Sequence, residues 1–403
     1  TALSCTLLTT LLTSASAAKE ISGNHNAFAI NGETVTIKSG AIVGVGKAQV
    51  GNAVSSNSSI VVSNNGNTNK SSIAIEKGGR LNSRIFSSYQ AKIKDIIING
   101  SIGAGPSNAS IINFRSTTIE KIEVGQTGVL EGGIINSWFK GSGVASGKSK
   151  IDNIDIKGEV KGGIKNQSGT MQTITITGSV SGGIQNDDTM DTLKIENGGS
   201  VSGDIINNKT MQSISVSNGT VNGNIVNSGT NASTGAINIT GTSDIKGSII
   251  NQDGANFNNQ ITLDQNSKLG GILNNANSTM SGTLDLKGEV GTITNAGKFD
   301  SILTLSNKVG EINNAEGGMI SNDITINQNG SVGAINNSGT MQAITNNGTG
   351  TLTLTNSGGT IDKITNGTGA TATIRNQGKI TNGIINNGGT LTVFNDFRKD
   401  ESA

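Results

Sequence analysis

The sequence predicts an all-β protein: a single-stranded, right-handed parallel β-helix (β-solenoid) with about 20 residues per coil. Three observations carry this reading. A set of aliphatic residues recurs along most of the chain, each copy alternates apolar with polar positions, and Gly or Asn closes nearly every run.

The recurrence is clearest where Ile174, Ile176, Val180 and Ile184 define four apolar slots. The slots refill as Leu193, Ile195, Val201, Ile205 and then as Ile214, Val216, Val221, Ile225. They continue through Ile237, Ile239, Ile245, Ile249, through Ile261, Leu263, Leu269, Ile272, and through Leu284, Leu286, Val290, Ile293. Further copies are Leu303, Leu305, Val309, Ile312; Ile324, Ile326, Val332, Ile335; and, after a longer gap, Leu352, Leu354, Ile361, Ile364. Upstream, Ile154, Ile156, Val160, Ile164 fit the pattern, and Ile73, Ile75, Leu81, Ile85 fit it more faintly. Successive copies lie about 19 to 24 residues apart, a period typical of solenoids.

Within a copy, Thr173-Ile-Thr-Ile-Thr177 has the two-residue period of a strand with one buried face. Helices are disfavoured because Gly and Asn fall every few residues. Strands of three to five residues are expected, closed by Gly178, Gly182 and Asn186, residue types that accept the positive φ of tight corners. A coil of this size cannot bury its own aliphatics, so it must stack on neighbours that align the same slots. Residues 24 to 395 hold roughly 18 coils, a rod of around 85 Å at the spacing of paired strands. The right hand follows from the general preference of parallel crossovers.

A second repeat, Gly-x-Ile-x-Asn, ends at Asn166, Asn186, Asn207, Asn227, Asn251 and Asn274. Stacked in register, these side chains form an amide ladder along one corner. Met171, Met190, Met211 and Met280 recur just before the first strand and read as corner plugs rather than metal ligands.

Composition narrows the function. The chain has 58 Gly, one Pro, one Trp and one Tyr, so its core is aliphatic and thin. With 29 basic against 28 acidic residues, there is no field to draw it to nucleic acid, and no nucleic-acid partner is expected. The abundance of β-branched residues argues against disorder. Residues 1–18 read as a truncated signal peptide, an apolar run followed by small residues, with cleavage near Ala17 or Ala18. Cys5 lies within that run in a weak lipid-attachment context, and ordinary cleavage leaves a cysteine-free mature chain.

Four segments are expected: the signal at 1–18, a less regular β-helix or cap region at 19–150, regular repeats at 151–395, and a charged end at 396–403. The 19–150 segment carries Pro106, the basic residues Arg80, Arg84, Lys92 and Lys94, and the aromatics Phe86, Tyr89, Phe114, Trp138 and Phe139. These read as a cap or as a loop that binds something.

Catalytic chemistry finds little support. His25 is the only histidine, so a Ser-His-Asp triad would rest on it alone. No His/Cys cluster has zinc spacing, and no catalytic, cofactor-binding or metal residue is assigned. Asp187 and Asp188 with Asp191, or Asp152 with Asp155, are the carboxylates a polysaccharide lyase or hydrolase would use. Their slots hold Asn, Ser or Lys in other coils, which marks outward or corner positions. The threonines at 173–177 and 351–355 suggest an ice-binding array, but Lys194, Ser213, Ser215, Asn238 and Asp264 in other copies leave no regular Thr face.

Leader, cysteine-free body and Gly-x-Ile-x-Asn coils together resemble the passenger domains of Gram-negative autotransporters over nearly the whole chain. That resemblance implies a secreted β-helix displayed at the bacterial cell surface, carried by an outer-membrane β-barrel translocator that is not evident here. It also implies an adhesin or virulence role toward host-cell or matrix molecules or glycans; from the residue inventory, no enzymatic activity and no cofactor are expected. A self-assembling surface fibre subunit is the alternative, and a lyase or hydrolase the third reading.

Overall fold

The computed structural model describes residues 18–50, 53–63, 68–137 and 147–395. Ala17 and Cys5 of the expected signal, Trp138, Phe139 and the charged end at 396–403 lie outside the described residues. Ala18 is exposed just before the first strand.

Alternating apolar residues and tight corners produce a β-solenoid of about 17 turns, each about 21 residues, with 60 % of residues in strands and 1 % in helix. Among the described residues the strands fall into three sheets of 17, 27 and 7 members that run along the rod. Register is slot on slot: Ile174 pairs with Leu193, Ile176 with Ile195, Val180 with Val201 and Ile184 with Ile205. Each of these side chains points inward and is essentially unexposed. At about 4.8 Å per coil, 17 turns make a rod of about 80 Å. The main exception to parallel pairing is an antiparallel hairpin, Gly46–Val50 with Ala53–Val62.

Strand lengths depart from the expected three to five residues. They run from two residues, as at Ser179–Val180, to nine or ten at Asp244–Gln252 and Ala53–Val62. The reason is local: Asp244–Gln252 keeps extended geometry through a corner and joins two short segments, and in Ala53–Val62 a hairpin arm runs on into a parallel strand.

The corners also change along the rod. In the coil at Thr170–Asn186, Met171 and Ile174 share one strand of the first sheet, while Val180 and Ile184 lie in two separate strands of the second. Farther on, Thr279–Met280 belongs to the third sheet and Leu284–Leu286 to the first, and Val290 and Ile293 share the strand Glu289–Asn295. The spacing explains the switch. Met171 to Ile174 is three positions and Val180 to Ile184 four; Met280 to Leu284 is four and Val290 to Ile293 three. One residue has moved from one corner to the other. A register shift between Ile245 and Ser248, opposite Leu269 and Gly271, marks the transition.

Leu352 and Leu354 do not occupy the slots the repeat suggested. Ile344 pairs with Ile324 and Asn346 with Ile326, whereas Leu354 pairs with Ile335 on the second sheet. Ile361 pairs with Met341 on the third sheet, and Ile364, expected in the fourth slot on the second sheet, pairs with Ile344 on the first. Asn346 replaces the second aliphatic of its strand, so that strand lacks the Ile-x-Ile signature and looks like a gap.

The core does not divide at residue 150. One apolar cluster runs from Ile21 to Ile374 and includes Ile96, Ile98, Ile102 and Ile111 of the less regular first third. Glycine fixes the approach of successive coils at one corner. A Cβ on Gly182 would lie 2.5 Å from the Gly163 backbone nitrogen, and one on Gly291 would lie 2.1 Å from the Gly270 carbonyl oxygen.

Candidate functional site

Three groups of polar residues are candidates for function: the stacked asparagines, the nominated carboxylates, and the aromatic and basic residues of the first third.

The asparagines lie inside the rod. Asn166 Nδ2 donates to Asn186 Oδ1 at 2.8 Å, and Asn186 donates to Asn207 at 2.8 Å. Asn207 does not reach Asn227. It donates to the Thr234 hydroxyl at 2.9 Å, and that hydroxyl donates to Asn227 Oδ1 at 2.9 Å. Asn227, Asn251 and Asn274 then continue the same sense at 2.9 and 3.0 Å. The chain of amides also extends past the tagged residues, from Asn113 and Asn136 at one end to Asn356 and Asn376 at the other. Asn136, Asn295, Asn314 and Asn337 also end a Gly-x-Ile-x-Asn tag, whereas Ala109, Leu352 and Ala372 stand in place of its glycine before Asn113, Asn356 and Asn376. A second, shorter ladder links Asn346, Asn366 and Asn386 on the first sheet. Each amide of the long ladder is buried and satisfied by its neighbours, so it is a cross-coil brace with no face turned to a ligand.

The nominated aspartates are engaged in ties between and within coils. Of the outward or corner positions expected for these slots, Asp188 takes a corner one and is 4 % exposed. Its Oδ2 accepts from the Gly169 N–H at 2.9 Å and pairs with Lys148 Nζ at 2.6 Å, while Oδ1 pairs with Lys209 at 2.9 Å. The short corner after Asn186 tucks the carboxylate under the Gly169 corner of the previous coil, which the sequence pattern did not reveal. Burial pushes the Asp188 carboxyl up, but hydrogen bonds from Lys148, Lys209 and the Gly169 N–H outweigh it and hold the group below the usual range. Asp187 accepts from Gln185 and from Asn208, and Asp191 from Gln212. Asp152 pairs with Lys150 at 2.7 Å and Asp155 with Lys121 at 3.7 Å. Among the described residues no three His, Cys, Asp or Glu side chains converge as a metal site. His25 is exposed and stands edge-on to Phe28 at 5.6 Å.

The threonines correct an expectation. Thr351 and Thr353 stack on Thr371 and Thr373, which stack on Thr390 and Thr392. Two columns three residues deep therefore exist near the end of the rod, bordered by Arg375 next to Thr355. The misplaced register of Leu352 had hidden them.

The aromatic and basic residues of the first third converge on the outside of the second sheet. Phe86 and Phe114 lie 6.0 Å apart, centroid to centroid. Arg84 lies over Phe86 at 5.5 Å, and Arg115 lies over both Phe114 at 5.2 Å and Tyr89 at 5.1 Å. Arg115 Nη1 also donates to the Tyr89 hydroxyl at 2.6 Å. Arg84 is half-buried, donates to Ser58 Oγ and the Pro106 carbonyl, and is pushed down from its ordinary pKa by burial. Sequence reading singled out Arg84, Phe86, Tyr89 and Phe114 but missed Arg115; its place immediately after Phe114 was the available signal. Arg80, Lys92 and Lys94 are exposed on neighbouring strands.

No protein-family model matches this chain, and no curated protein matches it.

Proposed function

We propose that this protein is a surface-displayed β-helical passenger of the autotransporter type, acting as an adhesin or structural stalk through the long sides of its rod. The observation that carries this reading is the uninterrupted stack of about 17 parallel coils on a single aliphatic core. Such a stack gives a stiff, extended surface along which weak contacts multiply. The carboxylates nominated for hydrolysis support it as well, because their oxygens are occupied by lysines and amides that tie coils together. A leader at 1–18 fits export.

The test uses the purified chain. Small-angle scattering should return a monodisperse rod of about 80 Å, and the protein should attach saturably to host cells or matrix-coated surfaces. Concentration-dependent, dye-binding fibrils would favour the fibre subunit instead. Cleavage of a polysaccharide, lost on changing Asp187 and Asp188 together, would replace both readings with an enzyme.

A further inference from the structure

One corner of the rod holds its backbone at odds with its residue types. Tyr89, Gln90, Arg115 and Ser116 all have left-handed φ, at 54°, 60°, 51° and 59°. Several other turns that need this conformation use Asn or Asp, as at Asn197, Asn218, Asp253 and Asn277, or Gly, as at Gly169 and Gly254. Glycine would remove the strain in both coils, and the side chains that stand there instead are a tyrosine and an arginine in mutual contact.

Charge sets the same corner apart. Every ion pair found among the described residues is made by a lysine, and neither Arg84 nor Arg115 has a carboxylate within ion-pair distance. Two guanidiniums therefore flank the Phe86–Phe114 pair without a counter-charge. Arg115 is fixed by two rings and the Tyr89 hydroxyl, so its remaining N–H donors are held in place before any ligand arrives. Tyr89 remains 37 % exposed and offers an open ring.

From this geometry we infer that the Tyr89–Arg115 corner is a binding subsite for an anionic sugar, whose carboxylate or sulfate takes the free donors of Arg115 while its C–H face packs on Tyr89. The inference rests on the adhesin reading and names a ligand class for it. An acidic peptide fits less well, because the main chain here is already paired between coils: the Gln90 N–H donates to the Arg115 carbonyl and the Thr118 N–H to the Ala91 carbonyl. No strand edge is left for a peptide to extend. A sugar needs only the ring and the charge.

Isothermal titration of the full chain with sialyllactose, a heparin-derived oligosaccharide and neutral lactose tests this. The first two separate a carboxylate source from a sulfate source. At least one charged sugar should bind about tenfold or more tightly than lactose, and Arg115→Gln should lose about tenfold of that affinity while the thermal midpoint stays near wild type. Gln90→Gly should raise the midpoint and keep the binding. No preference for the charged sugars overturns the inference. So does Arg115→Gln binding like wild type, in particular if it melts earlier, since the cluster would then be only a brace. Cell attachment without sugar binding removes the subsite and leaves the adhesin reading; sugar binding without attachment does the reverse.

Discussion

The coils near Met190 and those near Phe299 solve one packing problem with opposite corners. In the first, three positions separate Met190 from Leu193 and four separate Val201 from Ile205; in the second, four separate Phe299 from Leu303 and three separate Val309 from Ile312. The apolar path around the coil keeps its length, so the slots stay in register although the strands are cut differently. The longer step opens the corner beneath the third sheet, and there the rod accommodates Phe257 and Phe299, the largest fully buried side chains among the described residues. The shorter step holds Met171, Met190 and Met211. A solenoid therefore specifies the slots, and the corners adjust to keep them aligned.

The ladder joins the two regions and is the most costly place to cut. Asn251→Ala removes the acceptor for Asn227 and the donor to Asn274, leaving buried polar groups unpaired. It should destabilise the protein by about 2–4 kcal/mol, read by denaturant unfolding. Thr234→Val breaks the single link made by a hydroxyl and should cost about 1–3 kcal/mol. Hydrogen exchange in that variant should show the coils before Asn207 and after Asn227 opening at different free energies. Equal opening on both sides would mean that backbone pairing alone couples the regions.

A reciprocal swap sharpens the corner comparison. Met190→Phe should overpack the tighter corner and cost about 1–3 kcal/mol, whereas Phe299→Met should cost less than about 1.5 kcal/mol. Equal costs would show that the extra residue does not widen the corner.

A further effect is electrostatic and confined to the Met190 side. Asp188→Asn should cost about 1–2 kcal/mol, because its lysines are largely solvated while the Gly169 bond can persist through the amide oxygen. The folded carboxyl titrates below its unfolded value. Its contribution is therefore complete above the ordinary aspartate pKa and is lost as pH falls through the lower, folded value. The wild-type advantage over Asp188→Asn should vanish in acid, and an advantage unchanged at low pH would exclude the ion pairs as its source.

How much could be read in advance follows from what each residue signals. Ile174, Ile176, Val180 and Ile184 announce their burial by period and type, so the stack was legible without coordinates. Asn346 carries the inward role of an isoleucine in the form of an amide, so its coil was passed over and Leu352 was misassigned. Asp188 looked like its outward neighbours because nothing local distinguishes a carboxylate tucked under a glycine corner. Arg115 depends on a ring from the preceding coil, 26 positions away in sequence, and sequence periodicity does not report such pairs.

The sequence by itself determined the repeat, the inward slots and the aliphatic character of the core, because these follow from residue type and from a period that each coil carries within itself. Tertiary structure alone decided where strands begin and end, which asparagines connect and which pass through Thr234, and how Tyr89 meets Arg115. Those outcomes depend on distances between coils, and a hydrogen bond or ring contact across a step of about 4.8 Å is set by the neighbour's backbone as much as by the residue itself.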